Sequence, residues 1–446
     1  MSVIHIIFSE RGETMVEIKR IKVDGYKNVS NVDIELKKIT SLLSINSYGK
    51  SNLLQAIDFG LLYLSATINQ KVRLMNWTNG MPLLEDSLNK NFKFEIEFSL
   101  EQNKTDINVI YGYEFKWGIS KSNPSKVVAE YLRIKNLDES QKYSKYIDRT
   151  EKVAYIKSSE KGRCDKKINS EDHELLINKL YAYDHLFYFR IIRELNNIDI
   201  YNVNIDRSFD SSNQFKALSL IKREHYAMSS SDSEGIAERL YYIKKRYPEK
   251  FLLIKNAFMD LFPFIEDLRI EAINLADSKY KSVLHDKYEI QDVFYSLRVK
   301  HKNLIKPIIF NDMSDGAKKI LLLLTYLVMV EISRGHIIAI EEPENSINPG
   351  LLKRLLMILD GITEKAKIII TSHSPFLINY IDLSTLYLGV PNDDGKAIFR
   401  KIKINSVNKI ISGAEEQGML TGEYLFDLMS GSDDDITELK KYLENE

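Results

Sequence analysis

The chain of 446 residues carries a single cysteine, Cys164. One thiol excludes an intrachain disulfide and a cysteine cluster for zinc or iron–sulfur, and it suits a reducing, cytoplasmic setting. An excess of one charge is missing too. Lys and Arg number 62 against 63 Asp and Glu, for a formal net charge of −1. No global field therefore draws in nucleic acid or an anionic membrane, and DNA stays open as a partner only through a local basic groove. No apolar run approaches the roughly 20 residues of a membrane span. Val3 to Phe8 is too short for a secretory core and lacks a basic flank, so no membrane partner is expected. Heptads are not sustained long enough to wind a coiled coil, and no internal repeat is visible. What remains is 44% hydrophobic and 28% charged residues, ordinary for a folded chain with room for a large core.

The strongest local pattern is Leu43-Ser44-Ile45-Asn46-Ser47-Tyr48-Gly49-Lys50-Ser51-Asn52, between an apolar run and an amphipathic one. Strand, tight loop and helix N-terminus together make a phosphate-binding loop. Its backbone N–H groups point at phosphate oxygens, and the helix dipole favours negative charge there. Ser44, Asn46, Ser47, Tyr48, Gly49, Lys50, Ser51 and Asn52 are the candidate lining residues. Lys50 would reach the β- and γ-phosphates of a nucleotide, and the Ser51 hydroxyl would hold Mg²⁺. The pattern G-x-x-x-x-G-K-[ST] asks for glycine where this chain has Ser44.

Around this loop the sequence predicts an α/β fold. Glu17–Val23, Val32–Leu36 and Ile39–Ile45 read as strands leading into the loop, followed by a helix to Ala66. Phe92–Leu100 alternates strictly, and residues 90–155 read as an antiparallel β-meander. Residues 170–265 read as mostly helical, with Leu175–Leu186 and Ile236–Leu261 as continuous examples and Ser229–Gly235 as a polar breaker. Leu268–Leu275 and Val293–His301 read as strands, Met313–Arg334 as a long helix, His336–Ile340 as a buried strand, and Leu351–Leu359 as a helix. Lys367–Thr371 reads as a further buried strand, with edge strands at Thr385–Leu388 and Ile398–Ile402. Asp433–Asp435 reads as a solvated acidic loop before a short helix.

Three further motifs carry chemistry. His336–Ile340 ends in Glu341-Glu342-Pro343-Glu344. Carboxylates at the C-terminal end of a buried strand sit where open α/β sheets bind ligands. Glu341 would serve Mg²⁺ and Glu342 would orient or deprotonate an attacking water. Ser314-Asp315-Gly316 opens the long helix, so Ser314 and Gly316 form a second anion site or a plain N-cap. Ile368–Thr371 leads to Ser372-His373-Ser374-Pro375, where His373 would sense a γ-phosphate.

In this order the motifs resemble the ATP-binding-cassette ATPases of the RecF, SMC and OLD (overcoming lysogenisation defect) group. The run Glu341–Pro349 and the meander ending Ala129-Glu130-Tyr131-Leu132 are similar to the OLD-type AAA ATPases, although Asn348 stands where that family commonly has His. The resemblance implies an ABC-type ATPase head (P-loop NTPase) with two lobes, a β-meander and a helical insertion. It implies that two heads close head-to-head over ATP, with Ser314 acting in trans, and that Lys27 in Gly25-Tyr26-Lys27-Asn28 lies near the phosphates. The boundaries expected are 1–14 as an upstream leader, with Met15 the natural start of a bacterial gene, and 15–155 as the first ATPase lobe. A helical insertion over 156–265, a second lobe over 266–405 and a tail over 406–446 complete them. The function implied is an ATP-hydrolysing subunit of a bacterial antiphage defence system, as in PARIS or Septu, gating a separate nuclease or toxin on a phage trigger. The alternatives are a RecF-like DNA-repair ATPase and an ATP-binding scaffold without turnover.

Overall fold

The structure is a computed structural model that describes residues 16–46, 48–102, 105–118, 124–136, 142–204, 232–274, 293–333, 336–345, 347–390 and 394–444. Residues 1–14, Ser47 and Ser229–Ser231 lie outside the described residues. The chain divides into two compact units: residues 1–200, 367–375 and 381–446 form one, and residues 201–366 and 376–380 the other.

The first unit opens with β1 (Val16–Asp24), β2 (Val32–Glu35), β3 (Ile39–Ser44), α1 (Lys50–Ser65) and α2 (Ile68–Met75). The strands β4 (Phe92–Gln102), β5 (Thr105–Lys116), β6 (Lys126–Asn136), β7 (Ser144–Thr150), β8 (Ala154–Lys157) and β9 (Cys164–Lys167) follow. All but β3 make one antiparallel sheet in the order β2-β1-β4-β5-β6-β7-β8-β9. Period-2 alternation puts Phe92, Phe94, Ile96, Phe98 and Leu100 of β4, and Tyr111, Tyr113 and Phe115 of β5, on the buried face. Helix α1 packs there. A Cβ on Gly60 would fall 2.1 Å from the Phe94 ring, and the Tyr113 hydroxyl donates to the Gly60 carbonyl at 2.7 Å. Phe59, Tyr26, Trp77, Phe92 and Trp117 close the same cluster, with ring centroids 5.0–6.4 Å apart. Burial of that much aromatic surface fixes the helix that carries the loop.

The meander runs past residue 155, through the rest of β8 and on to β9. Strand β8 returns through a turn in which Thr150 N–H donates to the Val153 carbonyl, and β9, Cys-Asp-Lys-Lys, is largely exposed and has no apolar alternation to betray it. Of the helix expected over Leu175–Leu186 only α3 (Leu176–Leu180) forms, and α4 (Phe189–Asn196) follows.

The second unit contains β10 (Ile200–Asn204), α5 (Asp232–Arg246), α6 (Pro248–Leu261), β11 (Ile265–Asn274), β12 (Val293–His301), β13 (Ile308–Ile309), α7 (Asp315–Ser333), β14 (Ile337–Glu341) and α8 (Pro349–Ile362). The helix expected over Ile236–Leu261 is two helices, split at Tyr247 (φ −138, ψ 65). Pro248 has no N–H to continue the ladder and pushes the preceding residue out of the helical region, while its fixed φ suits the first position of a new helix. Strands β11, β12 and β13 pair antiparallel, and β10 lies beside β14. Ile320 to Leu324, Leu327, Val328 and Val330 bury most of α7.

The first unit then resumes with β15 (Lys367–Ser372), β16 (Leu386–Gly389) and β17 (Phe399–Lys401). These strands and β3 run in the order β15-β3-β16-β17. β15 and β16 flank β3 in parallel register, Ser372 opposite Leu43 and Gly389 opposite Ser44. Helices α9 (Val407–Glu416), α10 (Thr421–Ser430) and α11 (Asp433–Tyr442) end the described chain. Asp433–Asp435 is the first turn of α11, not a loop. Ser432 caps it, accepting from Asp435 N–H at 3.4 Å, and carboxylates there complement the helix dipole.

Candidate nucleotide site

The first unit holds the phosphate-loop residues. Ser44 is the last residue of β3, fully buried and opposite Gly389. It lies in strand backbone, which any residue adopts, so serine costs no strain where the pattern asks for glycine. The Ser44 hydroxyl donates to the Ile45 carbonyl at 3.0 Å. Gly49 is where glycine is required: φ is 121°, and a Cβ would meet the Ala397 methyl at 2.7 Å.

Helix α1 begins at Lys50 with Gly49 as N-cap and no side-chain cap. The N–H groups of its first turn lie at the loop, the type of donor an anion takes. Lys50 is buried and folded back over the loop, its Nζ donating to the Ser44 carbonyl at 2.9 Å, the Ile45 carbonyl at 3.1 Å and the Ser44 hydroxyl at 3.3 Å. Ser51 and Asn46 are exposed. Tyr48 acts as a strut. Its hydroxyl donates to the Val390 carbonyl and accepts from Ile398 N–H, its ring meets Phe399 edge-on at 5.8 Å, and burial pushes its phenol up.

The turn before β2 braces this loop. Lys27 (φ 49) reaches the first turns of α1, its Nζ donating to Gln55 Oε1 at 2.6 Å and to Asn52 Oδ1 at 3.3 Å. Asn28 bridges three partners. Its amide donates to the Tyr48 carbonyl at 3.2 Å and the Gly395 carbonyl at 3.3 Å, and its oxygen accepts from the Asn52 amide at 2.8 Å. Asn28, Gln55 and Ala397 were not candidates from sequence, although Asn28 ends the Gly25–Asn28 run. His373 follows β15, and the Ser372–Leu43 register brings it to the level of Ser44. Ser372 accepts from Ser374 N–H at 2.9 Å and so shapes the turn that carries the imidazole.

The second unit holds the carboxylates and the serine-glycine pair. Glu341 ends β14, half-buried. Glu342 leaves the strand with φ 47, and its Oε2 accepts from the Asn345 amide at 3.0 Å. Asn348 caps α8, accepting from Leu351 N–H at 2.9 Å. Ser314 is exposed and caps α7, its Oγ accepting from Ala317 N–H at 3.4 Å; Gly316 lies in the first turn.

The family described as "AAA domain, putative AbiEii toxin, Type IV TA system" matches residues 45–379. The chain belongs to this AAA-domain family. As an AAA-type ATPase it has an α/β P-loop fold built to bind nucleotide, which agrees with the uncapped start of α1 and the inward Lys50. Among solved structures the chain is similar to an SMC head bound to the C-terminal winged-helix domain of ScpA, at 13% identity and a TM-score of 0.46 over 88% of this chain and 99% of that one. It is also similar to the SMC head domain from Thermotoga maritima, at 12% identity and a TM-score of 0.41 over 87% and 100%. An SMC head with an extended coiled coil, bound to a C-terminal domain of ScpA and derived from Pyrococcus furiosus, gives 12% and 0.44 over 90% and 100%. These likenesses are distant and say nothing about activity. No curated protein matches the AAA-domain chain. Among the described residues no helix of it is long and apolar enough to cross a membrane.

Proposed function

We propose that this AAA-domain protein binds and hydrolyses ATP as the nucleotide-gated subunit of a bacterial antiphage defence system of the OLD type, controlling a separate nuclease or toxin. The observation that supports the reading is the family match over residues 45–379, whose description names a toxin–antitoxin setting, on a chain that carries the Gly49-Lys50-Ser51 and Glu341-Glu342 runs. The N–H groups at the start of α1 and the Lys50 ammonium would take the phosphates, with Asn46 and Asn52 beside them. Mg²⁺ takes hard oxygen donors, which the Ser51 hydroxyl and the Glu341 carboxylate are, and when bound it neutralises charge on the phosphates. Glu342 would accept a proton from the water that attacks the γ-phosphorus, and His373 would register whether the γ-phosphate is present. Ser314 and Gly316 would meet the nucleotide of a second copy, making the working unit a head-to-head dimer or larger ring. ATP can shift an open-to-closed balance only by its differential affinity for the two states, so slow turnover suits a switch that answers a phage trigger.

The test is ATP hydrolysis by wild type and Glu342→Gln, with mass photometry of each with and without ATP. Turnover is expected in wild type and a loss of about 10²- to 10⁴-fold in the variant, the share of a general base. An ATP-dependent dimer trapped by the variant is the second expected result. Equal turnover in the two proteins overturns the role of Glu342. No turnover and no mass change in wild type overturns the switch.

A further inference from the structure

Beyond the nucleotide motifs, the turn after β14 shows how the base would be aimed. Glu342 is the first residue past the strand and lies in the left-handed region at φ 47, a conformation that costs an ordinary side chain about 1 kcal/mol or more. Asn345 closes the turn from both of its ends. Its backbone N–H donates to the Glu342 carbonyl at 3.1 Å, and its side-chain amide donates to Glu342 Oε2 at 3.0 Å. The intervening Pro343 is buried and fixes its own φ. Downstream, Ile347 N–H donates to the Glu344 carbonyl at 3.2 Å, and Asn348 caps α8. The segment is thus anchored at both ends, by β14 and by α8.

We infer that Asn345 is a positioning residue for Glu342, holding Oε2 of the carboxylate and so fixing the direction in which the group faces. The inference rests on the reading of Glu342 as the base. An asparagine amide NH₂ can only donate, so it offers the carboxylate a hydrogen bond and no acceptor that would repel it. It aims the group without the full positive charge that a lysine or arginine would bring.

Asn345→Asp separates this role from turn-making. Aspartate has the same shape, keeps the backbone N–H and is equally at home in turns, but it offers Glu342 an acceptor in place of a donor. Steady-state ATP hydrolysis, nucleotide affinity with a fluorescent ATP analogue and thermal melting are measured for wild type, Asn345→Asp and Asn345→Ala. Both variants are expected to lose about 10- to 100-fold in kcat, the worth of a hydrogen bond to a charged group. Nucleotide affinity is expected to stay within about threefold of wild type, and Asn345→Asp to melt with it, since a lost transition-state contact lowers kcat alone. In a Glu342→Gln background neither substitution is expected to lower the residual rate further, because residues acting as one unit are not additive. Wild-type kcat in Asn345→Asp overturns the inference, as does an equal further loss in the Glu342→Gln background. If Glu342→Gln itself hydrolyses ATP at the wild-type rate, the assignment of the base has failed instead, and the two failures are told apart by that control.

Discussion

Gly49→Ala tests whether the loop geometry governs nucleotide binding. At φ 121 the backbone lies where side chains are strained by about 1–3 kcal/mol. The added methyl would also sit 2.7 Å from the Ala397 Cβ and 3.0 Å from Asn28 Oδ1. Ala397 cannot retreat. Its N–H donates to the Asn28 carbonyl at 2.8 Å, and its carbonyl accepts from Ser30 N–H at 3.2 Å. Overpacking of this kind costs about 1–3 kcal/mol. The two terms together come to about 2–6 kcal/mol, and the loop can shed that cost by leaving the conformation that receives phosphate. Apparent affinity falls with the fraction of competent loop, so the Kd for a fluorescent ATP analogue should rise at least about 30-fold. Ala397→Gly in the same chain removes the colliding methyl and should restore the steric part, leaving the backbone part. Wild-type affinity in Gly49→Ala refutes the argument. Complete recovery in the double variant refutes the backbone share of it.

Two buried charges in the first unit give further tests. Lys71, 1% exposed, donates to the Leu64 and Ala66 carbonyls and to Asn178 Oδ1, beside the Tyr63 ring and with Glu130 and Glu174 nearby. Burial lowers its ammonium from 10.5 to about 8. Below pH 8 both folded and unfolded chains carry the proton and the burial cost is present in full. Between pH 8 and 10.5 the unfolded chain binds more protons, so stability rises with pH, by about 2 kcal/mol from pH 7 to 9.5. Urea denaturation at those two pH values should show that rise in wild type and its loss in Lys71→Met; parallel behaviour of the two proteins counts against it. Glu130, fully buried, accepts from Leu176 N–H at 2.6 Å, Ile177 N–H at 2.9 Å and the Tyr111 hydroxyl at 3.0 Å, with the Arg149 guanidinium 4.0 Å away. Glu130→Ala strands those donors and an almost buried cation, and should cost about 3 kcal/mol in the same assay. A loss under about 0.5 kcal/mol, the range of ordinary surface substitutions, would contradict that.

The parts legible in the sequence are those with local causes. The apolar run into the phosphate loop became β3, Ile39–Ser44, and the amphipathic run after it became α1, Lys50–Ser65. The strand before the carboxylates, Ile337–Glu341, and the one before His373, Lys367–Ser372, fell within a residue of expectation because short apolar runs between turn residues have few other uses. The break at Tyr247 was written in Pro248 but overridden by the continuing apolar period on either side. Strand β9 had no local signature, since its place comes from pairing with β8. The brace of Asn28 on Tyr48, Asn52 and Gly395 joins residues up to 367 positions apart, and no spacing rule sees such a contact.

Backbone strain sorts the candidate site in a way composition could not. Among the described residues, three that are not glycine have positive φ: Lys27, Asn31 and Glu342. Asn31 needs no functional account, since asparagine tolerates this region and its N–H is held by Asp24 Oδ1 at 3.0 Å in the turn between β1 and β2. Lys27 lies in the same turn, where Val29 N–H donates to the Tyr26 carbonyl at 2.8 Å, so connecting two strands already accounts for part of its conformation. Glu342 differs. It follows a buried strand, its carboxylate is held by the Asn345 amide three residues on, and glycine, the residue that would fit there without cost, could not carry a carboxylate. Strain that a chain keeps at a residue with a cheaper alternative points to a demand on the side chain, and the proposed base, a carboxylate that the Asn345 amide holds in one direction, is a demand of that kind.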